Sequence, residues 1–159
     1  MLRPPNSLDL KSAGIAFVLF SLIAVPFAML TGLLEYTLIQ DPATLFRVAI
    51  VALLLSAVFE EVIFRGPIAW LSYKGSRKLL YVVAASLVLF VLCHPINGMF
   101  LLTAARELFT DIRFLVVMGT FGIGTSILAI KTCSLWASLI FHWLVMLGWI
   151  VFFGGPSFL

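Results

Sequence analysis

Long apolar segments make up most of this 159-residue chain. A helix needs about 20 apolar residues to cross the hydrocarbon core of a bilayer. Backbone N–H and C=O groups find no water in hydrocarbon, so a helix, whose backbone bonds are internal, is the expected form. The composition is 63% hydrophobic and 11% charged, whereas soluble domains are roughly half apolar and a quarter charged. The sequence therefore predicts an integral membrane protein.

The apolar runs and the breaks between them predict an all-α fold, a polytopic membrane helix bundle of about five spans. We expect one membrane domain over residues 1–159, with spans at residues 12–39, 43–73, 79–94, 112–130 and 135–153. Residues 99–111 are too short and too polar to cross, so we predict a loop there with a short interfacial or re-entrant helix. The lipid bilayer is then the main partner of the outer surface of these spans.

Individual residues predict where the helices begin, break and touch. Asp41 is expected to cap the second span. Gly66-Pro67 is expected to bend or break that span, and Pro95 to end the third, with Asn97-Gly98 turning the chain. Three glycines of the fourth span predict close helix contacts of the small-residue type: Gly119, Gly122 and Gly124.

The basic residues are scattered, which gives no support to nucleic-acid binding. Their distribution does bear on orientation, because positive charge favours the cytoplasmic side of a membrane. With the N-terminus in the cytoplasm, six of them fall on that side: Arg3, Lys11, Lys74, Arg77, Lys78 and Lys131. We therefore predict a cytoplasmic N-terminus.

Three ionisable residues, Glu60, Glu61 and Arg65, lie within six positions of an otherwise apolar span. A charge near the bilayer centre costs about 2.5–3.5 kcal/mol on insertion scales. Such residues are expected to face a protein interior or a watery cavity, which makes them a candidate site. Two other spans each contribute one of the chain's two histidines, His94 and His142.

Helical geometry predicts that these residues meet and that the two acids differ in role. Counted from the nearest basic loop at 1.5 Å per residue, Glu60, His94 and His142 lie at depths of roughly 21, 24 and 17 Å. Adjacent helical residues point about 100° apart, so the two glutamates cannot serve one partner. Glu61 lies four residues before Arg65 and can pair with it, which leaves Glu60 to face the cavity.

A carboxylate beside an imidazole can share a water molecule and act as a general base. Glu60 and His94 would then activate water, and His142 would stabilise the oxyanion of a tetrahedral intermediate. This chemistry is the hydrolysis of a peptide bond within the membrane, without a cofactor or metal. An alternative uses the two histidines and a glutamate as zinc ligands. Each histidine could also be a packed hydrogen-bond partner between helices.

The chain resembles the CPBP family, the glutamic intramembrane endopeptidases that include CaaX prenyl-protein proteases and bacteriocin-processing or self-immunity proteins. The family's Glu-Glu-x-x-x-Arg motif stands here at residues 60–65, and Phe-x-x-x-His at residues 90–94. The third motif, His-x-x-x-Asn or Asp, begins at His142 but ends in Met146. The resemblance covers residues 43–159 and leaves residues 12–39 as an additional N-terminal span.

The resemblance implies that Glu60 and His94 activate water, that His142 binds the oxyanion, and that Glu61 and Arg65 support the site. Met146 cannot donate the hydrogen bond of the family's asparagine. Asn97 is a candidate replacement, the alternative being a turn-forming residue. A catalytically impaired scaffold or immunity-type protein is therefore the second hypothesis. The substrate would be a membrane-associated or C-terminally tagged protein, and the location a bacterial cytoplasmic membrane.

Overall fold

The protein folds into helices that are linked by short connections. The structure, a computed structural model, describes residues 3–39 and 41–154 and, within them, every side chain except those at positions 48, 52, 55 and 56. The helices in chain order are α1 (Ser7–Leu30), α2 (Pro42–Val51), a π-helical segment (Ala52–Val58), α3 (Phe59–Tyr73), α4 (Leu79–Phe100), a 3₁₀ turn (Thr103–Ala105), α5 (Arg106–Thr110), α6 (Ile112–Thr132) and α7 (Trp136–Phe153).

The predicted all-helical membrane fold is confirmed. Within the described residues, four helices are long and apolar enough to cross a membrane: α1, α4, α6 and α7. The predicted second span is a composite of α2, the π-helical segment and α3, which follow one another without interruption from residue 42 to residue 73. The segment after α4 forms the 3₁₀ turn and α5, so the short helix expected there is present.

The first span differs from its predicted bounds. Residues 12–39 were expected to form it, but α1 begins at Ser7 and ends at Leu30. Asn6 and Asp9 form a capping box, with each side chain accepting from the other residue's backbone N–H at 3.0 Å, which starts the helix early. Beyond the helix, the N–H groups of Thr37 and Ile39 donate to carbonyls of α7 at 2.9 Å. Contact with α7 thus replaces the last predicted turns.

The predicted helix start at Asp41 is confirmed. Its carboxylate accepts from the backbone N–H of Thr44 at 2.8 Å. The side-chain hydroxyl of Thr44, followed by this backbone bond, holds the pKa of Asp41 below its usual value. Pro42 occupies the first helical position, where its missing N–H costs nothing. Both features follow from the sequence.

Pro95 does not end its helix as expected, and Gly66-Pro67 does not break α3. Helix α4 continues through Pro95, Asn97 and Gly98 to Phe100, and α3 continues through Gly66 and Pro67. Ending a helix inside hydrocarbon would strip several backbone groups of their partners, whereas an internal proline removes one bond. Continuing the helix is therefore the cheaper solution. The departure from α-geometry occurs instead at the π-helical segment, which contains neither proline nor glycine.

Side-chain bonds show which helix ends lie together. At one end of the bundle, Ser72 Oγ donates to the Ile130 carbonyl at 3.0 Å, and the Trp136 indole donates to the Arg3 carbonyl. At the other end, Arg113 donates to the Thr31 carbonyl, which ties the start of α6 to the end of α1. The loops with most of the positive charge therefore share the first end.

The core contains aromatic rings and a buried ion pair. Phe90, Phe121 and Phe141 are each at most 2% exposed, and the ring of Phe121 contacts both of the others. Gly122 lets the helices approach closely: an added Cβ would lie 2.7 Å from Leu87 Cδ1. A Cβ on Gly124 would lie 3.3 Å from Phe141, and one on Gly119 would make only ordinary contact. The predicted close approach is thus confirmed at Gly122 and Gly124.

Candidate active site

Glu61 lies at the centre of the buried polar groups. Its side chain is fully buried, and Oε1 lies 2.9 Å from Nδ1 of His142. Oε2 lies 3.8 Å from Nε of Arg65, four residues further along α3. That distance is too long for a hydrogen bond and describes an ionic contact. Glu61 is thus in contact with both an imidazole and a guanidinium.

Arg65 is held between α3, α4 and α6 with no exposed surface. Its guanidinium carbon lies 4.1 Å from the centre of the Phe90 ring, a cation–π contact. Nη2 lies 3.4 Å from the Gly122 carbonyl. Among the described residues, Nε and Nη1 of Arg65 and Oε2 of Glu61 have no hydrogen-bond partner. The charge of Glu61 is therefore the principal compensation for this buried cation.

Three aromatic rings surround His94 on α4. Phe90, Phe109 and Phe114 contact the imidazole edge to face, with centroids 5.1–5.5 Å away. Nδ1 lies 2.9 Å from the Phe90 carbonyl. A carbonyl can only accept, so Nδ1 carries a proton, and in the neutral ring Nε2 carries the lone pair. The imidazole is thus oriented with its basic nitrogen away from the Phe90 carbonyl.

Glu60 is partly buried, unlike its neighbour Glu61. It lies close enough to His94 and Arg65 to interact with both electrostatically. His94 interacts in the same way with His142. The residues predicted to meet, Glu60, His94 and His142, therefore occupy one region of the bundle. The predicted pairing of Glu61 with Arg65 is also found.

The sequence did not predict the partner of His142, because no spacing rule relates α3 to α7. The Nδ1 atom of this imidazole contacts Glu61. Its ring also packs edge to face on Phe121, with centroids 4.8 Å apart. Met146, one turn further along α7, packs in an apolar cluster with Ile39 and Ile150.

Asn97 does not lie in the turn that Pro95 was expected to form. It is a partly buried helical residue one turn after His94, and its backbone carbonyl accepts from Leu101 and Leu102. Within the described part of the chain its side chain makes no hydrogen bond. Asn97 therefore lies on the same helix as His94, but its side-chain amide makes no hydrogen bond to His142.

Several contacts around the site were not predicted from the sequence. Phe109 reaches His94 because Gly98 has no side chain: a Cβ there would lie 2.9 Å from Phe109 Cβ. Trp143 donates from its indole N–H to the Ala49 carbonyl of α2 at 3.0 Å. The sequence offers one indication of such a contact, which is that Trp143 directly follows His142.

Two apolar cavities lie along α1, away from these polar residues. They have volumes of about 460 and 390 Å³, and their linings include Phe20, Ala24 and Val117 but not Glu60, His94 or His142. Among the residues that the structure describes, no group of three or more His, Cys, Asp or Glu side chains could hold a metal ion.

Comparison with known proteins identifies a family. A family model described as Type II CAAX prenyl endopeptidase, Rce1-like, matches residues 42–148, which is more than half of the chain. No curated protein and no solved structure matches. The matched region begins at α2 and includes Glu60, Glu61, Arg65, His94 and His142. The chain therefore belongs to the Rce1-like group of the CPBP family, a family of membrane-embedded proteases.

Proposed function

We propose that this protein is an intramembrane endopeptidase in which Glu60 and His94 activate water and His142 stabilises the oxyanion. The observation that carries the proposal is the 2.9 Å contact between the buried Glu61 and His142, with Glu60 beside it and interacting with His94. In this proposal Glu60 and His94 supply the base, and His142, held by Glu61, stabilises the oxyanion. These roles fit the protease family to which the chain belongs.

The reaction consumes one water. The Glu60 carboxylate takes a proton from a water molecule that is oriented by Nε2 of His94, and the water oxygen adds to the scissile carbonyl carbon. Negative charge then develops on the carbonyl oxygen, where His142 stabilises it. When the C–N bond breaks, the proton held by Glu60 passes to the leaving amine. The products are a carboxylic acid and an amine.

Glu61 and Arg65 support this chemistry without touching the reacting atoms. Glu61 accepts from Nδ1 of His142, which fixes the orientation of the ring, as a carboxylate does for a catalytic histidine. Arg65 compensates the charge of Glu61 at 3.8 Å. The adjacent glutamates therefore serve different histidines.

The family description supports a proposal for the substrate class. We propose a membrane-associated protein or peptide that is cleaved near its C-terminus, with a prenylated CaaX sequence as the first probe. Purified protein in detergent is incubated with a farnesylated Cys-aliphatic-aliphatic-X peptide and with the same peptide without the lipid, and products are identified by mass spectrometry. Release of the C-terminal tripeptide supports the proposal; two intact peptides would contradict this substrate class.

The same assay separates the metal-independent mechanism from a zinc enzyme. We expect cleavage to persist in excess strong chelator and purified protein to contain no stoichiometric zinc. Loss of cleavage in chelator, restored by added zinc, would favour the zinc mechanism instead.

Met146 favours a second candidate function, a scaffold or immunity-type membrane protein that has lost catalysis. Its side chain packs with Ile39, Trp143 and Ile150 and offers no amide to an oxyanion. Under this alternative, a partner protein would bind with wild-type affinity to both the native chain and Glu60→Gln, and neither would cleave it.

We propose a bacterial cytoplasmic membrane as the location, with the N-terminus in the cytoplasm. The basic loops share one end of the bundle, as the Ser72–Ile130 and Trp136–Arg3 bonds indicate, and positive charge favours the cytoplasmic side.

A further inference from the structure

The run that carries Glu60 is interrupted directly before this residue. Residues 52–58 form a π-helical segment, and α3 begins at Phe59. A π-helix bonds each carbonyl to the N–H five residues on, so each residue turns less and advances less along the axis than in an α-helix. The direction in which Glu60 leaves the helix therefore depends on whether the π-helical segment is kept.

Two consecutive residues of α7 contact the chain just before and just after this segment. Trp143 donates to the Ala49 carbonyl, three residues before the segment, at 3.0 Å. His142 contacts Glu61, three residues after it, at 2.9 Å. Together the two contacts hold both ends of the segment against one turn of α7.

The two contacts also limit the length of the segment. Twelve residues of regular α-helix would separate Ala49 from Glu61 by about 18 Å along the axis. The Cα atoms of His142 and Trp143 are only about 3.8 Å apart. A π-helical segment advances less per residue and so brings Ala49 and Glu61 closer together. The two contacts together therefore set an upper limit on the distance between Ala49 and Glu61, and a run shortened by the π-helical segment lies further inside this limit.

We propose that Trp143 is a positioning residue, whose indole N–H holds the π-helical segment and thereby directs Glu60 towards His94. The inference rests on the proposed catalytic role of Glu60 for its effect on rate, but its effect on the segment is independent of that role. An indole N–H has no other acceptor in lipid, and a lost partner there is not replaced by water.

The test compares Trp143→Phe with a matched control on the same helix, Trp136→Phe. Trp136 also donates from its indole to a main-chain carbonyl, that of Arg3, at the end of α7 far from Met146. Both variants keep an aromatic ring and lose one N–H···O=C bond. The quantities to be compared between the two variants and the wild type are kcat and KM on the farnesylated peptide. Amide hydrogen exchange of residues 49–60 in detergent is the second readout.

For Trp143→Phe we expect kcat to fall on the order of tenfold to a hundredfold, as for a displaced catalytic group, with KM unchanged. Exchange of residues 49–60 should rise in this variant only. Trp136→Phe should keep wild-type kcat. Faster exchange with wild-type kcat would overturn the positioning role, and a fall in kcat without faster exchange would overturn the route through the π-helical segment.

Two further arms keep the outcome decisive. If Trp143→Phe does not fold, benzothienylalanine at position 143 replaces only the N–H by sulfur and takes its place. If wild-type protein cleaves no probe, the proposed substrate or function has failed, and the exchange comparison alone decides. Equal exchange in both variants would then overturn the inference, whereas faster exchange in Trp143→Phe would uphold the hold on the segment.

Discussion

Adjacent glutamates with different surroundings account for the site at the scale of single residues. Glu61 is fully buried between His142 and Arg65, whereas Glu60 is partly buried and interacts with His94. The 100° between neighbouring helical side chains predicts this division from the sequence. The pairing of Glu61 with His142 could not be predicted, because it depends on how α3 packs against α7.

Glu61→Gln tests the structural half of this division. The amide can still accept from His142, but Arg65 loses its compensating charge in a site with no exposed surface. Breaking a buried pair costs about 3–5 kcal/mol, so we expect a lower free energy of unfolding by roughly that amount. The measurement is a denaturation titration in mixed micelles. Glu60→Gln serves as the control and should unfold like the wild type; equal losses in both variants would argue against the division.

Gly122→Ala tests the close approach of α6 to the buried ion pair. The new Cβ would lie 2.7 Å from Leu87 Cδ1 and 3.2 Å from Arg65 Nη2. Such overpacking costs about 1–3 kcal/mol, and the same titration measures it. Gly119→Ala on the same helix is the matched control, since the nearest neighbouring atom, Val91 Cγ2, would lie 4.0 Å from its added Cβ. A Gly122→Ala protein as stable as Gly119→Ala would contradict the packing described here.

At the scale of elements, α5 forms a wall behind His94. Phe109 contacts the imidazole at 5.5 Å and stacks on Phe114 at 5.3 Å. This arrangement requires a glycine at position 98, where a Cβ would meet Phe109 Cβ at 2.9 Å and the Arg106 backbone at 3.2 Å. The sequence predicts the short helix but places Gly98 in a turn, whereas it lies inside α4.

Gly98→Ala is therefore expected to push α5 away from α4 and loosen His94. We predict a kcat lower by on the order of tenfold or more, measured on the farnesylated peptide. Gly66→Ala provides the control: Gly66 is helical, has nothing within 4 Å of its added Cβ, and should gain slightly from the better helix former. Wild-type kcat in Gly98→Ala would contradict the role of the wall.

Asp111 and Arg113 connect two helix ends outside the hydrocarbon. Asp111 caps α6 and accepts from Arg113, which in turn donates to the carbonyl of Thr31 at the end of α1. The guanidinium lowers the pKa of Asp111 to about 2. A carboxyl with a lowered folded-state pKa stabilises the fold above its unfolded pKa of about 3.9 and loses this effect as pH falls towards 2.

Asp111→Asn should accordingly lower the thermal midpoint at neutral pH, and the difference from wild type should shrink between about pH 4 and pH 2. Thermal unfolding at several pH values measures this difference. Glu107→Gln, at an exposed position on the neighbouring α5, is the control and should leave the midpoint unchanged. A difference that grows on acidification would contradict the stabilising role of the Asp111–Arg113 contact.

The approximate number of spans and the bounds of α6 and α7 could be predicted because length, hydropathy and caps are local properties. α6 and α7 begin and end within two residues of their predicted bounds. The extent of α4 through Pro95 could not, because the cost of ending a helix in hydrocarbon outweighs the local preference of proline. The composition of residues 52–58 does not indicate a π-helix. The contacts of Trp143 and His142 that accompany this segment come from α7, which is distant in the sequence.

At the scale of the whole molecule, the charges of the two ends predict the orientation. Cysteines introduced at Ser76, in the basic loop, and at Glu35, near the opposite end, report it with a membrane-impermeant maleimide. In right-side-out cells we expect labelling at position 35 and none at position 76. Inverted vesicles should give the reverse. Labelling at 76 in intact cells would contradict a cytoplasmic N-terminus.

The central claim is that Glu60 activates the water that cleaves a peptide bond. The most direct measurement is kcat on the farnesylated peptide for Glu60→Gln beside Glu107→Gln, with equal folding verified for both. We predict that Glu60→Gln loses at least about 100-fold, the usual contribution of a general base, while Glu107→Gln keeps the wild-type rate. Wild-type cleavage by Glu60→Gln would contradict the claim.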